Sequence, residues 1–300
     1  MRFLGPGLLL LCTAIWGSAF VAQKLGADHF GPFAINSFRN LIAGAFLWLC
    51  LLLRHRFSCG DWPVRPNRRA LLGGFLCGLL LFAAMVSQQV GIERTTPGIS
   101  AFLTSNYVLI VPLLAWAVGK GRPGLGICLG VLFALAGAYL ISVSPSATSG
   151  FVLDAGAAWI LLCAAFFAVH ILVVDGFAPG CDMLALSAMQ MSVAGIVALP
   201  FVFLPGELAR LSWAGFRQGL PALLFLGFFS SGIAYTLQNF GQAFTPPALA
   251  AIIMALESVF GVFFGWLILG DVMTARQAVG CAFVFSAVIV SQVLSRKAPA

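Results

Sequence analysis

Two strongly charged side chains interrupt long apolar stretches of the sequence, Arg39 and Glu257. A charge at the centre of a membrane helix costs about 2.5–3.5 kcal/mol on insertion scales, so such residues usually face the interior of a bundle and have a partner or a function. In "IIMALESVFG" (252–261) the carboxyl can bind an ammonium group, exchange a proton, or only tie helices together. For Arg39 we expect a structural role, as a fixed cation that bonds helix ends or a carboxylate.

Further polar and aromatic side chains in the apolar stretches are candidates for a substrate-binding site. They carry amide, hydroxyl, indole or imidazole groups: Trp16, Gln88, Asn106, Tyr107, His170, Tyr235, Gln238 and Ser258. Four phenylalanines could add an apolar lining suited to aliphatic or aromatic groups and organic cations: Phe82, Phe102, Phe166 and Phe167. For His170 two interpretations stay open, a proton-coupling group or a neutral ring bonded to a neighbouring helix.

The elements that must position these residues are membrane helices. The 300 residues are 61% hydrophobic and 8% charged, against about 25% charged in soluble domains. About 20 apolar residues span a bilayer core, and such stretches recur along the whole chain. We predict an all-α polytopic membrane protein with ten spans: 4–25, 30–53, 70–90, 96–118, 123–143, 154–175, 183–204, 218–241, 246–269 and 275–294.

Basic residues are distributed unevenly between the two sides that these spans define. With the N-terminus inside, the inner segments hold Arg2, Arg54, Arg56, Arg65, Arg68, Arg69, Lys120, Arg122, Arg296 and Lys297, and the outer segments hold Lys24, Arg94, Arg210, Arg217 and Arg276. Because basic loops stay in the cytoplasm, we expect both termini to be cytoplasmic, in a bacterial inner membrane. The net charge of +7 reflects this bias and indicates no nucleic-acid partner.

Cysteine usage agrees with this orientation and indicates no cofactor or metal. Six of the eight cysteines lie in predicted spans, and Cys59 and Cys181 lie in loops on the cytoplasmic side, where thiols stay reduced. No CxxC pair or Cys/His spacing typical of a metal site is present. No nucleotide-binding loop, HExxH motif or nucleophile with its base is recognisable either, so the sequence does not favour an enzyme.

The chain also contains an internal repeat. An offset of 150 residues aligns residues 87–116 with residues 237–266, and one more residue of offset aligns the earlier spans. Matched positions include Gln88 with Gln238, Gly91 with Gly241, Thr95 with Thr245, Pro97 with Pro247, Trp116 with Trp266, Gly130 with Gly280, Cys12 with Cys163 and Gly44 with Gly195. We predict two halves, 1–143 and 154–300, joined by a polar linker at 144–153.

Five spans in each half is an odd number, so the second half must cross the membrane inverted relative to the first. Inverted repeats are typical of transporters whose substrate site lies near mid-membrane, where the halves meet. Tyr107 is the repeat mate of Glu257, and we expect the two to form opposite walls of that site. Arg39 lies at a similar depth, which allows a direct pair with Glu257. Thr96 before Pro97, and Thr245 before Pro246, predict helix starts with a capping hydroxyl.

Several motifs together resemble the EamA family of the drug/metabolite transporter superfamily. They are "AIWGSAF" (14–20), "INSFRNLIAG" (35–44), "AFLTSNYVLIVPLLAW" (101–116) and "ALESVFGVFFGWLILGD" (255–271), followed by Gly280. Two positions depart from the family pattern, Ser258 in place of proline and Asp271 in place of glutamate. The resemblance implies a ten-helix secondary transporter, often an exporter of amino acids or other small metabolites. The acidic first-helix residue of the related small multidrug exporters is absent, so their proton-coupling mechanism does not transfer.

The sequence therefore predicts a secondary transporter that exports a small polar or amphipathic metabolite, with amino acids as the leading class and protons as one candidate coupling ion. The alternatives are an importer or multidrug exporter, and, from another class, a membrane scaffold or integral-membrane enzyme. Glycines with small-xxx-small spacing, at 73–78, 126–130 and 261–265, fit either close packing within one bundle or the face of a weak homodimer.

Overall fold

The computed structural model describes residues 3–57, 67–94, 102–142, 155–270 and 272–295, and the regular elements within these ranges are all helical. In chain order they are α1 Leu4–Ala27, α2 Pro32–Phe57, α3 Arg68–Ile92, α4 Phe102–Ala117, α5 Leu125–Ser142, α6 Ala155–Phe177, α7 Met183–Phe203, α8 Trp213–Gln242, α9 Pro247–Ile268 and α10 Ala275–Ser295. A short helix, Pro205–Leu208, lies between α7 and α8.

Eight helices in the described ranges are long and apolar enough to cross a membrane, and α4 and α5 are shorter apolar helices. The predicted spans coincide with these helices to within a few residues, where the structure describes both. The largest difference is at α8, which begins at Trp213 rather than at residue 218, because Ser212 accepts a bond from Gly215 N at 3.0 Å and caps the helix. The predicted linker, 144–153, lies outside the described residues.

Two helices are interrupted at positions related by the 150-residue repeat. In α4 the bonds Asn106 N to Leu103 O (3.2 Å) and Val108 N to Ser105 O (3.0 Å) form a tight turn, and the regular helix resumes at Tyr107. In α9 the bonds Leu256 N to Ile253 O (3.1 Å) and Ser258 N to Ala255 O (3.2 Å) form the same turn, and the helix resumes at Glu257. Tyr107 and Glu257 therefore occupy equivalent positions on two discontinuous helices.

The prediction that the Thr245 hydroxyl caps the start of α9 is wrong. The helix begins one residue later than expected, with Pro247 at its first position and Pro246 before it, and no side chain caps it. Thr245 Oγ1 is buried and has no hydrogen-bond partner among the described residues. Pro246 is in an extended conformation (φ −53°, ψ 143°), as is usual for a residue that precedes a proline, and this separates Thr245 from the helix start. The corresponding prediction for Thr96 and Pro97 falls outside the described residues.

Close contacts between helices occur in pairs, and the second contact of each pair joins the repeat mates of the residues that form the first. A Cβ atom added to Gly91 would lie 2.5 Å from Ile160, and one added to the equivalent Gly241 would lie 2.7 Å from Leu9, the equivalent of Ile160. Likewise a Cβ added to Gly137 would lie 2.6 Å from the carbonyl oxygen of Gly280, and one added to Gly130, the equivalent of Gly280, would lie 3.2 Å from that of Ala287, the equivalent of Gly137. The glycines thus allow helices of one half to pack tightly on helices of the other, α3 on α6, α1 on α8 and α5 on α10.

Polar contacts link the helix ends on both faces of the bundle. At the end that holds the C-terminus of α2 and the N-terminus of α7, Arg54 pairs with Asp182, Lys120 pairs with Asp175, and Arg69 donates to Gly176 O at 2.7 Å. At the opposite end, Arg210 pairs with Glu93 at 2.8 Å, and Glu207 accepts a bond at 3.0 Å from the backbone N–H of Ala34 near the start of α2. Each of these contacts joins the two halves of the chain.

Candidate substrate-binding cavity

A cavity lies where α1, α2, α3 and α4 meet α6, α8 and α9. It contains about 580 Å³ of space not filled by atoms, part of which is open to the outside. Its lining is Trp16, Phe20, Gln23, Arg39, Met85, Gln88, Thr104, Tyr107, Phe167, Ile171, Ser230, Tyr235, Gln238, Met254 and Glu257. Both halves contribute to it, and aromatic, amide and charged groups share its surface.

Most of the lining consists of repeat mates. The 150-residue offset relates Met85 to Tyr235, Gln88 to Gln238, Thr104 to Met254 and Tyr107 to Glu257, and the 151-residue offset of the first span relates Trp16 to Phe167 and Phe20 to Ile171. Equivalent surfaces of the two halves therefore face each other across one cavity. This arrangement follows from the reciprocal helix contacts, since residues near the common axis of two packed repeats must meet their own counterparts.

The two discontinuous helices bring Tyr107 and Glu257 together. The Tyr107 hydroxyl donates to Glu257 Oε1 at 3.4 Å, which is longer than the 2.5–3.0 Å usual for an O–H···O bond. Tyr107 is buried, whereas Glu257 is partly accessible from the cavity. Within the described part of the chain the carboxyl therefore has one weak partner, and it retains lone pairs on the side of the cavity, where it can accept bonds from an ammonium group or take up a proton.

Arg39 enters the cavity from α2, on a side formed by an irregular part of α8. Its Nε donates to Ser231 Oγ at 2.9 Å. Ser231 lies in the π-helical segment Leu226–Ala234, and such segments often occur at functional sites because they displace side chains from the regular register. Gly227 lets the two helices come close, since a Cβ there would lie 2.7 Å from Ile42. Arg39 and Glu257 both line the cavity but form no ion pair, and neither takes part in any salt bridge among the described residues.

Aromatic rings form the wall beside these charged groups. The Trp16 ring packs edge-on against Tyr235 with 4.8 Å between centroids, and its Nε1 donates to the carbonyl oxygen of Ser230 at 3.2 Å. That carbonyl belongs to the π-helical segment Leu226–Ala234. Phe20 and Phe167 extend the apolar surface. Of the four phenylalanines suggested from sequence only Phe167 lines the cavity, while Phe82 stacks on Phe201 and Phe102 packs against Tyr139.

Three predicted site residues lie away from the cavity lining. The Asn106 amide donates to Phe102 O (3.2 Å) and Leu103 O (3.1 Å), and so completes the interrupted turn of α4. The Ser258 hydroxyl donates to Ala255 O at 2.8 Å within its own helix. His170 is fully buried behind Tyr235, with Nε2 3.3 Å from Gln190 Oε1. Asn106 and Ser258 thus bond to carbonyl oxygens of their own helices, and His170 contacts a side chain of α7.

The lining also includes residues that the sequence reasoning missed. Thr104 and Met254 could have been found as repeat mates three positions before Tyr107 and Glu257, on the same helix face. Phe20 follows Trp16 by one helical turn for the same reason. Ser230 and Gln23 had no comparable signal, since the π-helical segment that exposes Ser230 has no counterpart in α3. No group of three or more metal-ligating residues occurs in the described part of the chain.

The cavity extends further toward one end of the bundle than toward the other. Gln23 and Arg39 line it, but their repeat mates Val174 and Gln190 are fully buried and do not. On the Gln190 side, buried side-chain atoms of α8 have no hydrogen-bond partner in the described structure: Gln238 Oε1, Asn239 Oδ1 and Gln242 Oε1. The structure is therefore asymmetric, with an open vestibule at the end formed by the C-terminus of α1 and a closed polar region at the other end.

Comparison with known proteins agrees with this architecture. The model of the EamA-like transporter family matches residues 3–143 and again residues 154–292. An uncharacterized transporter of Archaeoglobus fulgidus is 30% identical over 94% of this chain and 83% of its own length. The uncharacterized inner membrane transporter YedA of Escherichia coli K12 is 26% identical over 94% of this chain and 89% of its own. A crystal structure shares the fold, with a TM-score of 0.79, 17% identity and coverage of 99% of both chains. The chain thus belongs to the EamA-like transporter family and is a multi-pass membrane transporter.

Proposed function

We propose that the protein is a secondary transporter that exports amino acids or similar small metabolites by alternating access to the cavity at Tyr107 and Glu257. The observation that carries this proposal is the set of six repeat-related pairs that line one cavity between the halves. A site on the axis between two equivalent halves can open to either side when one half rocks against the other. The interrupted helices α4 and α9 meet at this site, as the discontinuous helices of many secondary transporters do.

The proposal treats residues 1–143 and 154–300 as inverted five-span repeats joined by the linker 144–153. Two observations support this: the glycine contacts occur in repeat-related pairs, and α4 and α9 contain the same turn at positions 150 residues apart. The excess of basic residues at one end of the bundle favours a cytoplasmic location for both termini. In that orientation the open vestibule faces outward and the ion pairs of Arg54 and Lys120 close the cytoplasmic side.

The chemistry of the lining favours a small amphipathic substrate. The Glu257 carboxyl suits an ammonium group, while Trp16, Phe20 and Phe167 suit an aliphatic or aromatic side chain. The same carboxyl is the candidate for proton coupling, because its weak bond to Tyr107 leaves it able to exchange a proton with the open vestibule. In this proposal the substrate ammonium and the proton compete for the same group, the Glu257 carboxyl.

Counterflow of a labelled amino acid into liposomes containing the purified protein tests this proposal, with a panel of amino acids trapped inside. Thr104→Trp, which projects a large ring into the cavity, should abolish counterflow. Ile289→Trp on α10 is the matched control, since that side chain is 62% exposed on the outer surface of the bundle and the change should leave counterflow unaltered. Undiminished counterflow in Thr104→Trp would mean that the substrate takes another route.

A further inference from the structure

The side chain of Arg39 has hydrogen-bond donors left over inside the cavity. A guanidinium has five N–H donors, and among the described residues only Nε has a partner, Ser231 Oγ. In the described part of the chain no acceptor or carboxylate is bonded to Nη1 or Nη2, although the residue is only 5% exposed. A cation that has lost most of its water without gaining an anion is unfavourable, so the site is suited to an anionic group.

We propose that Arg39 binds the carboxylate of the substrate and thereby selects zwitterionic amino acids over the corresponding amines. This inference rests on the proposed function and names the substrate group that the cavity recognises. With Nε fixed by Ser231, the plane of the guanidinium is set, and the remaining N–H groups form the fork that matches a carboxylate. The π-helical segment of α8 supplies that fixation, which gives its irregular backbone a role in recognition.

The two charged groups of the cavity are complementary to a zwitterion. Glu257 lies on α9 and Arg39 on α2, and they do not neutralise each other. A substrate that carries an ammonium and a carboxylate supplies a counter-ion for each of them, and Trp16 and Phe167 add apolar surface to the same cavity. An amine without a carboxylate would leave the cation unpaired, and an acid without an amine would leave the Glu257 carboxylate without its counter-ion.

The repeat supplies an internal comparison for this assignment. The position equivalent to Arg39 in the second half is Gln190, which is fully buried, lies outside the cavity and contacts His170 at 3.3 Å. The cationic group is therefore present on only one of two equivalent helices, and only on the side where the cavity is open.

Binding of three matched ligands to the purified protein tests the inference. They are phenylalanine, phenethylamine, which lacks the carboxylate, and 3-phenylpropionate, which lacks the ammonium, with affinity read from thermal stabilisation in detergent. The wild type should bind phenylalanine at least about 30-fold more tightly than phenethylamine, the factor expected when one partner of a desolvated charge pair is removed. Arg39→Gln should abolish this preference, Arg39→Lys should restore part of it, and Gln190→Met should retain it.

The outcomes separate this inference from the proposed function. Equal binding of phenylalanine and phenethylamine to the wild type, or an unchanged preference in a folded Arg39→Gln protein, would overturn the role of Arg39 and leave the transporter assignment intact. If no amino acid of a wider panel stabilises the wild type, the carboxylate inference and the amino-acid class are both wrong. Should Arg39→Gln fail to fold, the wild-type preference and the partial effect of Arg39→Lys still decide the question.

Discussion

Replacing Glu257 with glutamine separates a functional carboxyl from a structural one. The variant keeps the size of the side chain, and its oxygen can still accept from the Tyr107 hydroxyl, 3.4 Å away. A hydrogen bond of that length contributes less than about 1 kcal/mol to stability, and no salt bridge in the described structure includes Glu257. We therefore expect the free energy of unfolding to change by less than about 1 kcal/mol, or to rise because an ionisable group leaves a low-dielectric site.

Transport by the same variant should fall far more than its stability. Losing a charged partner of the substrate ammonium, worth about 1.5–3 kcal/mol, corresponds to a loss of roughly 10- to 150-fold in binding. The assay is counterflow in liposomes at several pH values, with thermal unfolding measured on the same preparation. Ser258→Ala is the control, because the one partner of that hydroxyl among the described residues is Ala255 O in its own helix, so its removal should leave transport unchanged. Undiminished transport by Glu257→Gln at every pH would show that the carboxyl serves only to pack helices.

Three further predictions concern the packing and the ends of the bundle. Gly137→Val should destabilise the protein by about 1–3 kcal/mol in thermal unfolding, since a Cβ there would lie 2.6 Å from a carbonyl oxygen of α10. Gly7→Val should be neutral in the same assay, because no described neighbour lies within 4 Å of a Cβ added there. Glu207→Gln should cost about 1–2 kcal/mol, because the carboxylate accepts a bond near the start of α2 and interacts with the helix dipole; wild-type stability would refute that role. Arg54→Gln removes a partly exposed ion pair and should lower the free energy of unfolding by less than about 1 kcal/mol. The same change should speed maleimide labelling of a cysteine placed at Asn239, which is buried on the closed side of the cavity. Unchanged labelling would mean that the pair of Arg54 and Asp182 does not keep that side closed.

The helical framework could be predicted because membrane spans depend on a single dominant property of the sequence. A bilayer requires long apolar runs with internally satisfied backbone bonds, so composition alone located the helices to within a few residues. Prediction failed where local backbone bonding decides the result. The start of α9 depends on which of Pro246 and Pro247 occupies the first helical position, and the chosen arrangement leaves the Thr245 hydroxyl without its expected capping bond.

The cavity was partly predictable from the repeat. Tyr107 and Glu257 were paired by sequence offset, and their contact in the structure follows from that equivalence. The chemistry of single residues was less informative, because Asn106 and Ser258 have the same polar groups as lining residues but bond to carbonyls of their own helices. Arg39 was expected to serve as an anchor, and its position in the vestibule depends on a π-helical segment that has no recognisable signal in the sequence.

The location of a bound substrate tests the central claim most directly. A structure determined by crystallography or cryo-electron microscopy in the presence of a transported amino acid would give that location. The account predicts one molecule in the cavity between the halves, with its ammonium group within hydrogen-bond distance of Glu257 and its carboxylate on Arg39. A substrate bound elsewhere, or bound in the cavity without contact to Glu257, would contradict it.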